Sequence, residues 1–295
     1  MIDHRDIIPI VPTEMSGLSM DTDLGTKDKE SGHKIIKEFV NKNTSNVKTV
    51  GQILKEDGCT TLGIIADADK IKEQIYKFPI YRGHIKNKLY SDGIPILNHR
   101  DKVLNPGIYC WSMSDLLQCK SVTDIASSPL IIDLVSNYLG CLPTCYGINC
   151  MLSNGISQHG TTRRHRDSDD FKFLSLFIYL SDVTLQNGPH VYEMGTHLGN
   201  PDGAKGNEIP INQVRKEIIL GSAGTGFIED NWGVHYGMPL QPNNQRICLW
   251  IRYGLYDNYT ARNSVYMSEH STMEHEVDMT IDINKYVFRF LLEDK

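Results

Sequence analysis

Residues 164–180 read RHRDSDDFKFLSLFIYL, and the second half of that stretch decides the fold. Side chains alternate between the two faces of a strand. Phe173, Ser175, Phe177 and Tyr179 therefore share one side, and Leu174, Leu176, Ile178 and Leu180 share the other. Both sides are largely apolar, so the segment reads as a central strand covered on both faces. The segment 246–253 behaves differently. Ile247, Leu249, Ile251 and Tyr253 make one apolar face, while Arg246, Cys248, Trp250 and Arg252 make the other. Two arginines and a tryptophan turned into one cavity point to an anionic ligand there.

Outward from this strand, everything beyond about residue 145 is short, β-rich and punctuated by Gly, Pro, Asn and Asp. The candidate strands are Tyr146–Leu152, Lys172–Leu180, His190–Glu193, Glu217–Leu220, Gly226–Glu229 and Arg246–Tyr256. Such spacing predicts an antiparallel sandwich or barrel, mainly β with flanking helices. The helices come earlier: one near Ser31–Asn41, one over 50–57 stopped by Gly58, and one after the capping Asp67. A further helix, Ser128–Leu139, has Pro129 in its first turn and Gly140 at its end. A strand, Thr60–Ile65, lies among them. The chain divides into a loose arm over 1–28 and a single domain over 29–295. Within that domain lie a helical part at 29–140, a β core at about 141–257 and a C-terminal extension at 258–295.

A chain of 295 residues buries enough surface to fold without a metal or disulfide. Its formal charge of −6 argues against a nucleic-acid or anionic-membrane binder. The seven cysteines include no CxxC pair, which predicts reduced thiols and a cytoplasmic protein. The first residues, MIDHRDIIPIVPTEM, carry three acids and interrupting prolines, unlike a signal peptide, and no apolar run reaches transmembrane length. Asn43 and Asn258 match the glycosylation pattern by chance.

The chemistry lies in His165-Arg-Asp167. Residues two apart in an extended segment project to one face, so His165 and Asp167 can reach a single ion while Arg166 points away. A second histidine from a distant strand would complete a facial triad with open positions, an arrangement suited to iron(II) and O₂ chemistry. GFIEDNWGVHYG, residues 226–237, supplies His235. Arg246 follows eleven residues later at the start of the next strand, and a hairpin would return it towards the metal. Its guanidinium fork suits the far carboxylate of 2-oxoglutarate. Iron, Asp167, 2-oxoglutarate and Arg246 together carry no net charge, so such a cluster can be buried at modest cost.

As a set, His165 to Val183, the Asn187-Gly-Pro and Gly195-Thr-His197 pieces, and the segment from His235 to Arg252 resemble the phytanoyl-CoA dioxygenase superfamily. The match is good over about 140–256 and weaker over about 50–100. It implies a double-stranded β-helix, the cupin-like jelly roll. It also implies an Fe(II)- and 2-oxoglutarate-dependent dioxygenase of a small-molecule metabolite. The metal ligands would be His165, Asp167 and His235, and the 2-oxoglutarate residue Arg246. Two departures stand out: Met194 occupies a usual proline position, and Gly237 stands where relatives often carry a Ser or Thr that holds 2-oxoglutarate. Asn149 is the expected substitute, with Tyr146 and Tyr179 as rivals; Asn149 and Tyr146 have opposite parity, so at most one should face the site. The carboxylate at 167 favours hydroxylation or desaturation over halogenation.

Simpler roles compete for several residues. Arg252 could be the anchor in place of Arg246. His197 reads as a hairpin-fixing residue and His190 as an ordinary strand residue. Arg163, Arg164 and Arg166 read as a solvated charged patch, with contact to an anionic substrate as the alternative. Arg82 or His84 could line the mouth of the site, though loop packing suits both. His270 and His275 lack a metal-ligand spacing. Two other functions fit the same pattern. One is a catalytically silent β-helix that binds a small molecule or sugar. The other is a zinc- or manganese-dependent cupin enzyme, which would leave Arg246 unexplained.

Overall fold

A computed structural model describes residues 45–83, 94–155, 162–199, 214–255, 275–289 and 291–292. The arm at 1–28, the helix expected over 31–41, His84, His270 and both glycosylation-like asparagines fall outside these residues.

Helix α1 (Ser45–Asp57) ends at Gly58, whose φ of +83° suits a residue without a Cβ. A Cβ there would also lie 2.4 Å from both His197 Nδ1 and the Tyr192 hydroxyl, so the turn is closed twice over. Strand β1 (Cys59–Ile64) leads to α2 (Ala68–Ile75), where the Asp67 side chain accepts from the Lys70 amide. Three short strands follow: β2 (Ile80–Arg82), β3 (Pro95–Ile96) and β4 (Gly107–Cys110). Helices α3 (Met113–Leu117), α4 (Lys120–Ala126) and α5 (Pro129–Leu139) complete the helical part, and Gly140 closes α5 with φ +78°. The remaining strands are β5 (Thr144–Asn154), β6 (Phe173–Tyr179), β7 (His190–Glu193), β8 (Lys216–Ile219), β9 (Thr225–Asp230), β10 (His235–Gly237) and β11 (Gln245–Gly254). A short helix, α6 (Asp282–Val287), packs on β5 from the C-terminal side.

Two antiparallel sheets face each other. The large one runs β1-β9-β6-β11-β5-β4-β2-β3 and the small one β10-β7-β8. The fold is thus mainly β with flanking helices, a jelly roll of the double-stranded β-helix type. Strand β6 lies inside the large sheet, paired on both edges, and every one of its residues is buried. Its two faces serve two cores. Leu174, Leu176, Ile178 and Leu180 pack with Leu249, Ile251 and Tyr253 of β11 against the helices, including Ile132 and Val135 of α5. Phe177 and Tyr179 join Phe227, Cys248 and Tyr192 between the sheets. Each fully buried side chain of this size contributes roughly 1.5–3 kcal/mol, so neither face of β6 can turn outward.

Cross-strand register sets out the inner face in rungs. Phe227, Phe177, Trp250 and Asn149 are successive Cα partners on β9, β6, β11 and β5. The next rung holds Glu229, Ser175, Arg252 and Gly147. Phe227 stacks on Phe177 at 4.9 Å and 7°, and Phe177 on Trp250 at 5.4 Å and 18°, an offset-stacked aromatic floor.

One expectation about this face is overturned. Arg252 pairs with Gly147, but Tyr253 pairs with Cys145, so Tyr146 is the extra residue of a β-bulge. A bulge breaks the alternation of faces. Tyr146 therefore reaches the inner side as well as Asn149, and its hydroxyl donates to Asp169 Oδ2 at 3.2 Å. All seven cysteines are buried and free. Among the described residues no helix is long and apolar enough to cross a membrane.

Candidate metal centre

His165 and His235 are brought together by the backbone before any ion is considered. The His165 amide donates to the His235 carbonyl at 3.1 Å, and the His235 amide returns the bond at 2.9 Å. Two residues on, the Asp167 amide donates to the Asn231 carbonyl at 3.0 Å. The isolated bridge at His165 thus adds a fourth rail to the small sheet and turns His165 and Asp167 the same way.

Both imidazoles are then aimed by their own chains. His165 Nδ1 lies 2.8 Å from the Arg163 carbonyl, and His235 Nδ1 lies 2.9 Å from the Gly233 carbonyl. A carbonyl only accepts, so each Nδ1 carries the proton and each Nε2 keeps its lone pair. The two Nε2 atoms face the Asp167 carboxylate at 3.6 Å and 3.8 Å. Those separations are too long for hydrogen bonds, but donors about 2.1 Å from one ion lie about 3–4 Å apart. The donor atoms of all three residues fall within 4.8 Å of one another, and this is the one such cluster among the described residues. Burial pushes the His235 pKa down, which keeps its ring neutral and available to a metal. The residues fit a divalent ion with open coordination positions.

Arg246 projects from the start of β11 beside β10 and donates to the Gly188 carbonyl. A Cβ built on Gly237 would lie 3.3 Å from Arg246 Nη2 and 3.5 Å from Nη1. Gly237 is two residues from His235 on the same strand face, about 7 Å along the strand, and the guanidinium lies against it.

Behind the triad lies a buried chain of polar groups. Asn231 Nδ2 donates to Glu229 Oε1 at 3.3 Å and reaches Asp167 Oδ2 at 3.5 Å. Glu229 Oε2 meets His190 Nε2 at 2.7 Å. Burial raises the Glu229 pKa and lowers that of His190, and both directions favour a dyad without net charge. The His190 ring stacks on His235 at 5.6 Å and lies against Phe177 and Phe227. The reading of His190 as an ordinary strand residue is therefore incomplete. A signal was present: Glu229 is an acid on the same strand face as Phe227.

Other candidates separate cleanly. Asn149 lies on β5 opposite Trp250, in the rung of the aromatic floor. The Tyr179 hydroxyl is occupied, donating to the Ile219 carbonyl and accepting from the His190 amide. Arg252, the rival anchor, bonds Asp169 at 2.8 Å and lies over the Trp250 ring at 3.6 Å. His197 Nε2 approaches the Lys55 carbonyl and so fastens the β7 turn to α1, away from the cluster. The arginine patch is not simply solvated. Arg164 pairs with Glu193, which is wholly buried, and Arg166 donates to the Thr196 and Trp232 carbonyls; Arg163 alone is exposed. Arg82 is exposed on β2, and His275 stands outside the cluster.

No protein-family model matches the chain, and no curated protein sequence does. Solved structures do match in fold. The non-heme alpha-ketoglutarate-dependent epimerase SnoN from nogalamycin biosynthesis superposes with a TM-score of 0.55 at 14% identity, over 72% of this chain and 85% of that one. The carbocyclase SnoK from the same biosynthesis gives 0.54 at 12% identity, over 80% and 94%. The non-heme monooxygenase ThoJ gives 0.51 at 17% identity, over 83% and 88%. At these identities the likeness is one of architecture.

Proposed function

We propose that the chain is an Fe(II)- and 2-oxoglutarate-dependent oxygenase that oxidises a C–H bond of a small-molecule metabolite. The carrying observation is the set of two Nε2 lone pairs and one carboxylate converging on a point, with the Arg246 fork beside Gly237, two residues along β10 from His235. Support also comes from the fold's neighbours: SnoN has been solved with Fe3+, alpha ketoglutarate and nogalamycin RO bound.

In this reading His165, Asp167 and His235 hold the iron, and Arg246 holds the distal carboxylate of 2-oxoglutarate by a bidentate pair. Bound iron with 2-oxoglutarate and O₂ supplies an oxidant able to attack an unactivated C–H bond. The protein's own residues orient and shield. Backbone carbonyls of Arg163 and Gly233 fix the imidazole tautomers, and Asn231 steadies Asp167. The aromatic floor of Phe227, Phe177 and Trp250 keeps water from one side of the site. Hydroxylation is the outcome we assign, and O₂ and a small molecule are the co-reactants. The net charge of −6 disfavours nucleic acid as substrate, and the free thiols suit a cytoplasmic setting.

The test is anaerobic addition of Fe(II) and 2-oxoglutarate to the protein. A weak visible charge-transfer band is expected, together with succinate formation in air that His165→Ala abolishes. Folded protein that binds iron yet gives neither signal would overturn the assignment.

A further inference from the structure

Gly237 removes a side chain from the cosubstrate's expected path, and something else must face that gap. Its Cα partner across the β10–β7 ladder is His190. Directly opposed residues project to the same face with Cα atoms about 4.5–5.5 Å apart. His190 therefore stands beside the space that Gly237 vacates and that the Arg246 guanidinium borders.

The dyad behind it determines what this ring can offer. Nε2 is engaged by Glu229 at 2.7 Å, and Nδ1 has no hydrogen-bond partner among the described residues. Glu229 is wholly buried, and the least costly state of such a pair carries no net charge. In that state, a neutral acid beside a neutral imidazole and a carboxylate beside an imidazolium are two positions of one shared proton. Either position leaves a proton on Nδ1, so the ring presents a donor. A donor beside Arg246 fits an anion. The alternatives are weaker: the Tyr179 and Tyr146 hydroxyls are already committed, and Asn149 lies across the sandwich on β5.

We infer that His190, backed by Glu229, is a binding residue for the dicarboxylate cosubstrate, giving through Nδ1–H the hydrogen bond that position 237 cannot. The inference rests on the 2-oxoglutarate reading above. The role also explains why a histidine and an acid are buried together between the sheets rather than two apolar side chains.

The test is an anaerobic titration of the Fe(II)-loaded protein with 2-oxoglutarate, followed by the charge-transfer band and by calorimetry. His190→Ala is expected to bind Fe(II) as the wild type does but to weaken 2-oxoglutarate binding about tenfold or more, as for losing a hydrogen bond to a charged group. His190→Asn, whose amide nitrogen can stand near the former Nδ1, is expected to restore most of the affinity. Thermal melting of each variant guards against loss of fold. Equal 2-oxoglutarate affinity in folded wild type and His190→Ala would overturn this inference alone. Failure of the wild type to bind 2-oxoglutarate would overturn the parent reading and this one with it.

Discussion

Gly237 and Arg246 share one volume: a Cβ on the glycine would come within 3.3 Å of Nη2 and 3.5 Å of Nη1. The first distance is tighter than ordinary van der Waals contact, and the atom that must yield is the end of a flexible side chain. Gly237→Val adds further methyl groups on the same side and is expected to push the fork aside. Affinity for 2-oxoglutarate should fall about tenfold or more, while Fe(II) affinity stays within about twofold. Calorimetry with each ligand in turn measures both, and unchanged 2-oxoglutarate binding would remove Arg246 from the anchor role.

Asp167 supplies the one carboxylate between two Nε2 atoms. Asp167→Ala is expected to abolish tight Fe(II) binding. A ligand at a hundred times its Kd stabilises the folded state by about 2.7 kcal/mol. Fe(II) should therefore raise the melting temperature of the wild type by several degrees and leave that of the variant unchanged. An equal rise in both would mean that the ion binds elsewhere.

Arg164 neutralises Glu193, a carboxylate with no exposed surface. Lys216 approaches the same carboxylate only at 3.5 Å. Arg164→Met should leave the acid under-compensated and cost about 3–5 kcal/mol of folding stability, read from the urea midpoint. Because the arginine precedes His165, Fe(II) affinity should weaken as well. A loss below about 1 kcal/mol would mean that Lys216 suffices.

His99 sits at 5% exposure between Tyr76 and Trp111, edge-on to both, and neither ring nitrogen has a partner among the described residues. Burial first, and Arg100 second, lower its pKa. The unfolded chain thus binds a proton near pH 6.5 that the folded chain refuses. Its contribution is present above that pH and is lost as the pH falls towards the folded value. His99→Phe keeps the ring contacts and removes the orphaned nitrogens. It should gain about 1 kcal/mol at pH 7.5 and more at pH 5.5, by urea unfolding at both. A variant no more stable at pH 5.5 than the wild type would refute this.

How much of this could be read from the sequence depends on distance along the chain. The two faces of 173–180 and of 246–253 were legible because alternation is intrinsic to a strand. The helix caps at Asp67, Pro129 and Gly140 were legible because each acts within one turn. Helix α3 was missed although Ser112 and Asp115 carried a capping signal, the Ser112 side chain accepting from the Asp115 amide. Tyr146 was misplaced because a bulge depends on the partner strand and not on local composition. The Glu229–His190 contact joins strands of different sheets, 39 residues apart, and only the closed sandwich makes it. Arg164 and Arg166 looked solvated because their acceptors, Glu193 and the carbonyls of Thr196 and Trp232, come from distant turns.

The paired amide–carbonyl bonds between His165 and His235 have a consequence for errors in folding. A shift of one residue along that bridge would swing the imidazole of the shifted strand to the opposite surface and break its reciprocal bonds. A misaligned chain would therefore keep no weakened centre; it would have none. Iron added to a refolding mixture should divide the molecules sharply into those that capture it and those that do not, and so act as a proofreader of strand alignment.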